Sequence, residues 1–448
     1  MFEFIKNLFK KKGVDKVQYN EELQEYIDSN YSKTDLWFTK EVKKDEHIRR
    51  INETLKYKRY LDEKHKILQR EDIDLNNGKV MHTKKLILNN AKTILNFHKT
   101  YLLGKPINLT GSEDLVKALN TVYKYGKFNN NDFKIISNLV NYGYCYEYVY
   151  TNRKDNVTSK VFKPWESYPV YTEDNDDVMI AFIEYWIDID NIEHYTVITD
   201  DTVEEWSNEG GLHRVAEYEN DNGLPIEYGD NEIYESLLGL IMPILDELED
   251  ILSKMSDSIY LLSLNPVSFS NGQEVEGGID ANGTSTHFNF EVGGEFKYCN
   301  ADMDYNTIKL YLDTLQNNLN QIAYMPSVLG GNGNVANVSE TSLKLLYQLA
   351  DVFAMITEKI VRAGFDERLN RIREILGLDN PEEYINVNFN YSRPMNSKEL
   401  LENLKTQFDM GAISTKSIVE MSPLTNDSVM ELNRLEEEGK SGEKKVEE

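Results

Sequence analysis

Two long helix patterns meet at a loop of glycine and asparagine, and this junction, residues 303–343, constrains the chain most. Over Met303–Tyr324 the apolar residues Ile308, Tyr311, Leu312, Leu315, Leu319 and Ile322 recur at steps of three and four, one face of a helix. Amides crowd the opposite face: Gln316, Asn317, Asn318, Asn320 and Gln321, with almost no charge. Pro326 is expected to stop this helix, because it has no N–H to give and disfavours helix just before it. The loop 326–338 then holds three glycines and three asparagines, which open many backbone conformations. Ser339 and Glu340 read as cap and first turn of a second helix, Glu340–Glu374, burying Leu343, Leu346, Leu349, Phe353, Ile356 and Ile360. A plain hairpin connection and a loop that slides along something without gripping it both fit these residues. A nucleotide cradle fits poorly, since no GxxxxGK[ST] occurs in the chain.

The 448 residues suffice for two or three compact units with real cores. No apolar run is long enough to span a bilayer, so no membrane segment is expected, and the N-terminus shows no cleavable signal pattern. Cys145 and Cys299 stand far apart without a CxxC partner, which suits a reducing compartment and two small buried side chains. The seven histidines are scattered and form no HExxH or HxxxH pattern, so no metal and no cofactor are expected. No nucleophile elbow or repeated carboxylate cluster marks a catalytic residue. The formal net charge is -27, the reverse of a simple nucleic-acid binder. Such a chain either ignores nucleic acid or meets it without holding it tightly.

In order, residues 1–12 form a short basic amphipathic segment, and 20–70 read as mostly helical. Helices are expected over Val80–Leu102, Glu113–Tyr125 and Asn131–Asn141, then an extended stretch at Tyr144–Tyr150. Residues 158–219 alternate and are rich in branched and aromatic side chains, which predicts an antiparallel meander. The acidic tract 173–177 lacks the spacing of a calcium loop and reads as a solvated turn. From 231 to 263 a heptad-like seam of Ile244, Leu248, Ile251, Met255 and Ile259 faces a partner helix, with Pro243 as a kink and Asp246, Glu247, Glu249, Asp250 and Asp257 on the outside. Short strands between turn pairs fill 264–302, a β module too small to stand alone. A strand at Tyr384–Tyr391, three short helices and a charged tail end the chain.

Three stretches resemble one family. Leu88–Leu95 followed by Tyr101-Leu-Leu-Gly-Lys-Pro-Ile-Asn108 is similar to a helix ending in a "YL-GKP" signature. Tyr324-Met-Pro326 with the loop and Ser339–Lys344, and Met410–Ser414 through Glu431–Glu438, resemble two more of its segments, although Glu340 and Ser342 replace its usual glycine and alanine. The family is that of phage portal proteins, the head–tail connectors, in the branch common among phages of Gram-positive bacteria. The resemblance implies an α+β, mainly helical subunit in a dodecameric ring around a channel for double-stranded DNA. It implies a wing (1–230 and 344–394), a stem (231–263 and 303–325), a clip (264–302), a channel loop (326–343) and a crown (395–448). It further implies partners: terminase large subunit, major capsid and scaffolding proteins, and head-completion adaptors, in the virion and in host cytoplasm during assembly. Another virion structural protein, such as an adaptor or minor capsid protein, is the competing assignment.

On that frame the chain's acidity would repel phosphate and confine a duplex without gripping it. Asn317, Asn318 and Gln321 on the helix, with Leu329, Asn332, Asn334 and Asn337 on the loop, would line the bore, and Lys309 would add a local basic ring or a stem ion pair. The seam Ile244, Leu248, Ile251, Met255 and Ile259 would face the neighbouring subunit. The clip strands would pair across subunits, because their edges would otherwise be exposed.

Overall fold

A computed structural model describes residues 20–31, 36–74, 80–172, 178–229, 235–260, 267–271, 274–279, 286–290, 292–299, 305–326, 340–378, 380, 382–394, 397–422, 424–425 and 430–438. The chain order is α1 (Glu21–Tyr31), α2 (Phe38–Glu41), α3 (Asp45–Leu61), β1 (Ile73–Asp74), β2 (Val80–Met81), α4 (Asn90–Leu103), β3 (Asn108–Gly111), α5 (Glu113–Gly126) and α6 (Phe128–Tyr142). Eight strands follow, β4 (Cys145–Thr151), β5 (Val157–Val161), β6 (Ser167–Tyr171), β7 (Met179–Ile187), β8 (Glu193–Ile198), β9 (Thr202–Ser207), β10 (His213–Glu219) and β11 (Ile226–Tyr228). The second half holds α7 (Leu237–Ser258), β12 (Val267–Asn271), β13 (Glu274–Ile279), β14 (Thr286–Phe290), β15 (Glu295–Cys299), α8 (Tyr305–Ile322), α9 (Glu340–Leu346), α10 (Gln348–Leu376), β16 (Ile385–Asn388), α11 (Ser397–Asp409) and α12 (Thr415–Met421). The architecture is α+β and mainly helical, as the resemblance implies.

The predicted meander is an antiparallel sheet in the order β10-β9-β8-β7-β6. Alternation along its strands sorts the side chains to two faces. Ala181, Ile183, Tyr195 and Val197 meet α1–α3 through Leu23, Trp37, Phe38 and Ile51. Phe182 and Ile198 point the other way, onto Phe162, Tyr144 and Tyr146 of the three-stranded sheet β11-β4-β5 and its flanks. A larger core joins α4, α6, α7 and α10 with that small sheet.

One buried cation ties this core together. Arg368 of α10 is 0% exposed and binds Glu147 of β4 at 2.8 Å and Asp132 of α6. Tyr228 and Ser159 also donate to Glu147, and the guanidinium lies 4.2 Å from the Phe365 ring centroid. Burial pushes Asp132 up to about 6 despite the neighbouring cation. Gly364, one turn earlier, lets α10 lie flush on the Tyr228 ring, which a Cβ there would overlap.

Several expectations need correction. Val80–Leu102 is not one helix: residues 82–88 run extended along α7, and the helix begins at Asn90. The reason is a ladder of polar side chains four residues apart. Backbone N–H groups of Leu88, Leu86 and Lys84 donate to Glu249 Oε1, Ser253 Oγ and Asp257 Oδ1 at 2.8, 3.0 and 3.0 Å. Period-two donors thus meet period-four acceptors, so Glu249 and Asp257 are buried rather than on the outside. His65 binds Glu249 at 2.7 Å and Arg70 binds Asp257 at 2.7 Å from the same side. Helix α7 runs on through Pro243, which has no N–H to give the Gly239 carbonyl. The second long helix breaks at Tyr347 into α9 and α10, and Leu349 and Ile356 are exposed rather than buried. The strands of 267–299 pair within the chain, β12 with β15 and β13 with β14, so only their outer edges are left for a neighbour.

Candidate channel-lining helix

Helix α8 is amphipathic by its three- and four-residue steps, and α7 covers its apolar stripe. Coverage is thin. Leu319 at 1% exposure is its one buried residue; Leu312 and Leu315 are partly buried, while Tyr305, Leu310, Tyr311 and Ile322 are exposed. Asn317, Asn318 and Gln321 are exposed, and so is Lys309. Gln316 Nε2 donates to Asn320 Oδ1 at 3.2 Å along the amide face. Tyr311 reaches across to Glu247 of α7 at 2.9 Å. Leu329, Asn332, Asn334 and Asn337 lie outside the described residues, as do 1–19 and 439–448.

The charge is not where the whole-chain total suggests. Residues 305–326 carry one Lys, Lys309, and one Asp, Asp313. Residues 178–222, the strands β7–β10 and their turns, carry twelve Asp and Glu against one Arg. Helix α8 is therefore neutral amide, and the chain's acidity lies on other elements.

The seam proposed for a neighbour divides. Leu248 at 4% exposure and Ile244 pack into the chain's own core. Ile251 and Met255 are partly covered, and Ile259 is exposed.

The C-terminal end of α8 is held by parts distant in sequence. The helix ends at Ile322, before Pro326, and Tyr324 takes a left-handed φ of +52° with Met325 N–H returning to Asn320 O at 2.9 Å. A non-glycine residue in that region costs roughly 1 kcal/mol and needs support. His98 of α4 supplies it by donating Nε2–H to Ala323 O at 2.6 Å. Burial lowers the imidazole to about 4, so it is neutral, and Phe353 of α10 packs on both His98 and Tyr324. A lone histidine in an apolar helix stretch gave no sign of this from sequence; only the fold brings residue 98 to residue 323.

The "YL-GKP" stretch is a second tie. Tyr101 Oη donates to Asp351 at 2.5 Å, Arg393 binds the other oxygen of Asp351 at 2.7 Å, and Ser392 N–H donates to Tyr101 O at 2.7 Å. A Cβ at Gly104 would overlap the Ser392 hydroxyl, which explains the glycine. These residues clamp α4 to α10 next to His98.

The profile described as "Phage portal protein, SPP1 Gp6-like" matches residues 40–445. The chain belongs to that family. The portal protein of Bacillus phage SPP1 is 22% identical over 382 residues, covering 75% of this chain and 73% of the relative. Among solved structures, the neck of an empty gene transfer agent particle is similar over 75% of this chain and 90% of the other, at TM-score 0.46 and 11% identity. The virion of the native gene transfer agent particle is similar over 73% and 87%, at TM-score 0.43 and 10% identity. In this chain the YL-GKP stretch is scaffolding that ties α4 to α10. Among the described residues, no group of three or more His, Cys, Asp or Glu could hold a metal ion, and no helix is long and apolar enough to cross a membrane.

Proposed function

We propose that this chain is the subunit of a dodecameric ring at one vertex of a phage capsid, and that its axial channel passes double-stranded DNA during packaging and ejection. The observation that carries it is α8: a helix of a portal-family chain with one buried residue, an exposed amide face and no net charge. A lone chain gains little by displaying Leu310 at 69% exposure, whereas neighbouring copies could cover it. Amides exchange phosphate for water at small cost, so a duplex slides instead of sticking. In this reading residues 1–230 and 344–394 are the wing, 231–263 and 303–325 the stem, 264–302 the clip, 326–343 the channel loop and 395–448 the crown. Terminase, capsid, scaffolding and head-completion proteins dock on the ring, which does no chemistry of its own.

Class averages from electron micrographs of the purified protein test the ring. An axial hole of roughly 20 Å or more, wide enough for a duplex, is expected. A solid or monomeric particle would overturn the reading in favour of an adaptor or minor capsid protein. In rings, Asn317→Lys with Gln321→Lys should slow packaging and strengthen its salt dependence; unchanged packaging removes α8 from the bore.

A further inference from the structure

The chain separates charge into two faces of opposite sign. Residues 40–92 carry fifteen Lys and Arg against nine Asp and Glu, in a protein whose total is -27. Helix α3 buries His47, Ile51, Thr54, Tyr57 and Tyr60 and turns Arg49, Lys56 and Arg59 outward. Lys64, Lys84 and Lys85 extend the band along the segment that lies on α7. Lys56 stands in the field of Asp246, Lys64 in that of Asp62 and Lys85 in that of Asp72. Among the described residues none of these six cations forms an ion pair; the pairs nearby are made by Lys58, Arg70 and Lys92. The five-stranded sheet is the counterpart, with Asp190, Asp201 and Glu209 exposed in its turns and Glu205 exposed on β9. Its edge strand β10 carries a bulge at Val215, which is exposed, and Ile189 beside Asp190 is 96% exposed. Ile48 on α3 is exposed among the cations.

We infer that the outer face of α3, with its flanking lysines, docks on the acidic sheet rim of a second copy of this chain. This rests on the ring reading above and names the surfaces that would close it. Charge complementarity picks the partner: the sheet rim has the opposite sign and exposed apolar side chains to match Ile48. The two faces lie on different elements of one subunit, so the contact is head-to-tail, the kind that makes a ring where its rotation closes. A duplex is the poorer occupant. The sheet rim offers what a phosphate backbone lacks, the exposed apolar side chains of Ile189 and Val215 to cover Ile48.

The test is a charge exchange in the full-length protein. One variant carries Lys56→Glu, Arg59→Glu and Lys64→Glu; the other carries Asp201→Lys, Glu205→Lys and Glu209→Lys. All six positions are exposed, and thermal unfolding checks that each variant folds. Mass photometry at low salt should show each variant alone losing ring population by about tenfold. Mixing the two should restore rings, because each then offers the face the other lacks. Folded variants that assemble like wild type, or that mixing fails to rescue, would overturn the docking. A band variant that assembles normally yet loses salt-dependent duplex retention would overturn it in favour of DNA. Wild-type protein that never forms rings would take down the ring reading and this docking together; intact wild-type rings confine any failure to the docking.

Discussion

Arg368 and α8 are built on opposite plans. Around Arg368, α10 inserts a cation between two carboxylates and two aromatic rings, and every partner comes from the same chain. Along α8, one leucine is buried and most of an apolar and amide surface is open. The first region spends polar groups inside, where each must be matched. The second keeps a simple helix with most of its surface uncovered in the single chain. In the ring proposed above, a subunit that folds alone and then assembles would need both.

If that division is right, the largest effect on the single chain comes from Arg368→Met. It strands Glu147 and Asp132 in the core, and thermal or denaturant unfolding should show a loss of about 3–5 kcal/mol. A loss below about 1 kcal/mol would mean that the network is not what holds α10, and the comparison would break at its strong end.

Acid sharpens the same contrast at the point where the two regions meet. His98 is folded with its imidazole near 4, below the 6.5 of the open chain. Between those values the unfolded state binds the extra proton, so stability should fall as pH drops from about 6.5 to 4 and be fully present above 6.5. The contribution is of order 3 kcal/mol over the window. His98→Phe removes the donor to Ala323 O and should flatten that part of the stability–pH curve. An unchanged slope would show that His98 does not carry the linkage.

The residues declare some of this and hide the rest. Period-two alternation made the meander of β7–β10 readable, since one face meets α1–α3 and the next residue meets the other sheet. The apolar stripe of α8 was equally plain. The segment 82–88 misled because Ile87, Leu88 and Ala91 carry on the apolar spacing of α4, while the acceptors that hold 84–88 extended lie 161 to 173 residues away on α7. Composition misled in another way: a total of -27 says nothing about placement, since the five-stranded sheet and its turns carry twelve acids against one Arg while α8 is neutral. Arg368 and His98 were invisible for a related reason, since each acts through partners more than two hundred residues distant in sequence. Local pattern records what a residue buries, and long-range pairing records what it binds.

A smaller effect probes the close approach inside the self-sufficient region. Gly364→Ala puts a methyl into the Tyr228 ring, whose hydroxyl holds Glu147 at 2.6 Å. The ring or the helix must shift, at a cost of about 1–3 kcal/mol in an unfolding curve. Retained stability would show that α10 is free to move away from β11.

The smallest effect on the single chain is the most telling for α8. Leu310→Ser changes an exposed side chain, so the melting of unassembled chains should move by no more than about 0.5 kcal/mol. Leu319→Ala, four residues below Leu315 on the covered side, should cost about 2–4 kcal/mol in the same measurement. Assembly should rank the two variants the other way, with Leu310→Ser lowering ring yield in mass photometry more than its stability predicts. Equal rank in both measurements would mean that the open face of α8 meets nothing, and the division between a region that completes itself and one that awaits neighbours would fail on its second half.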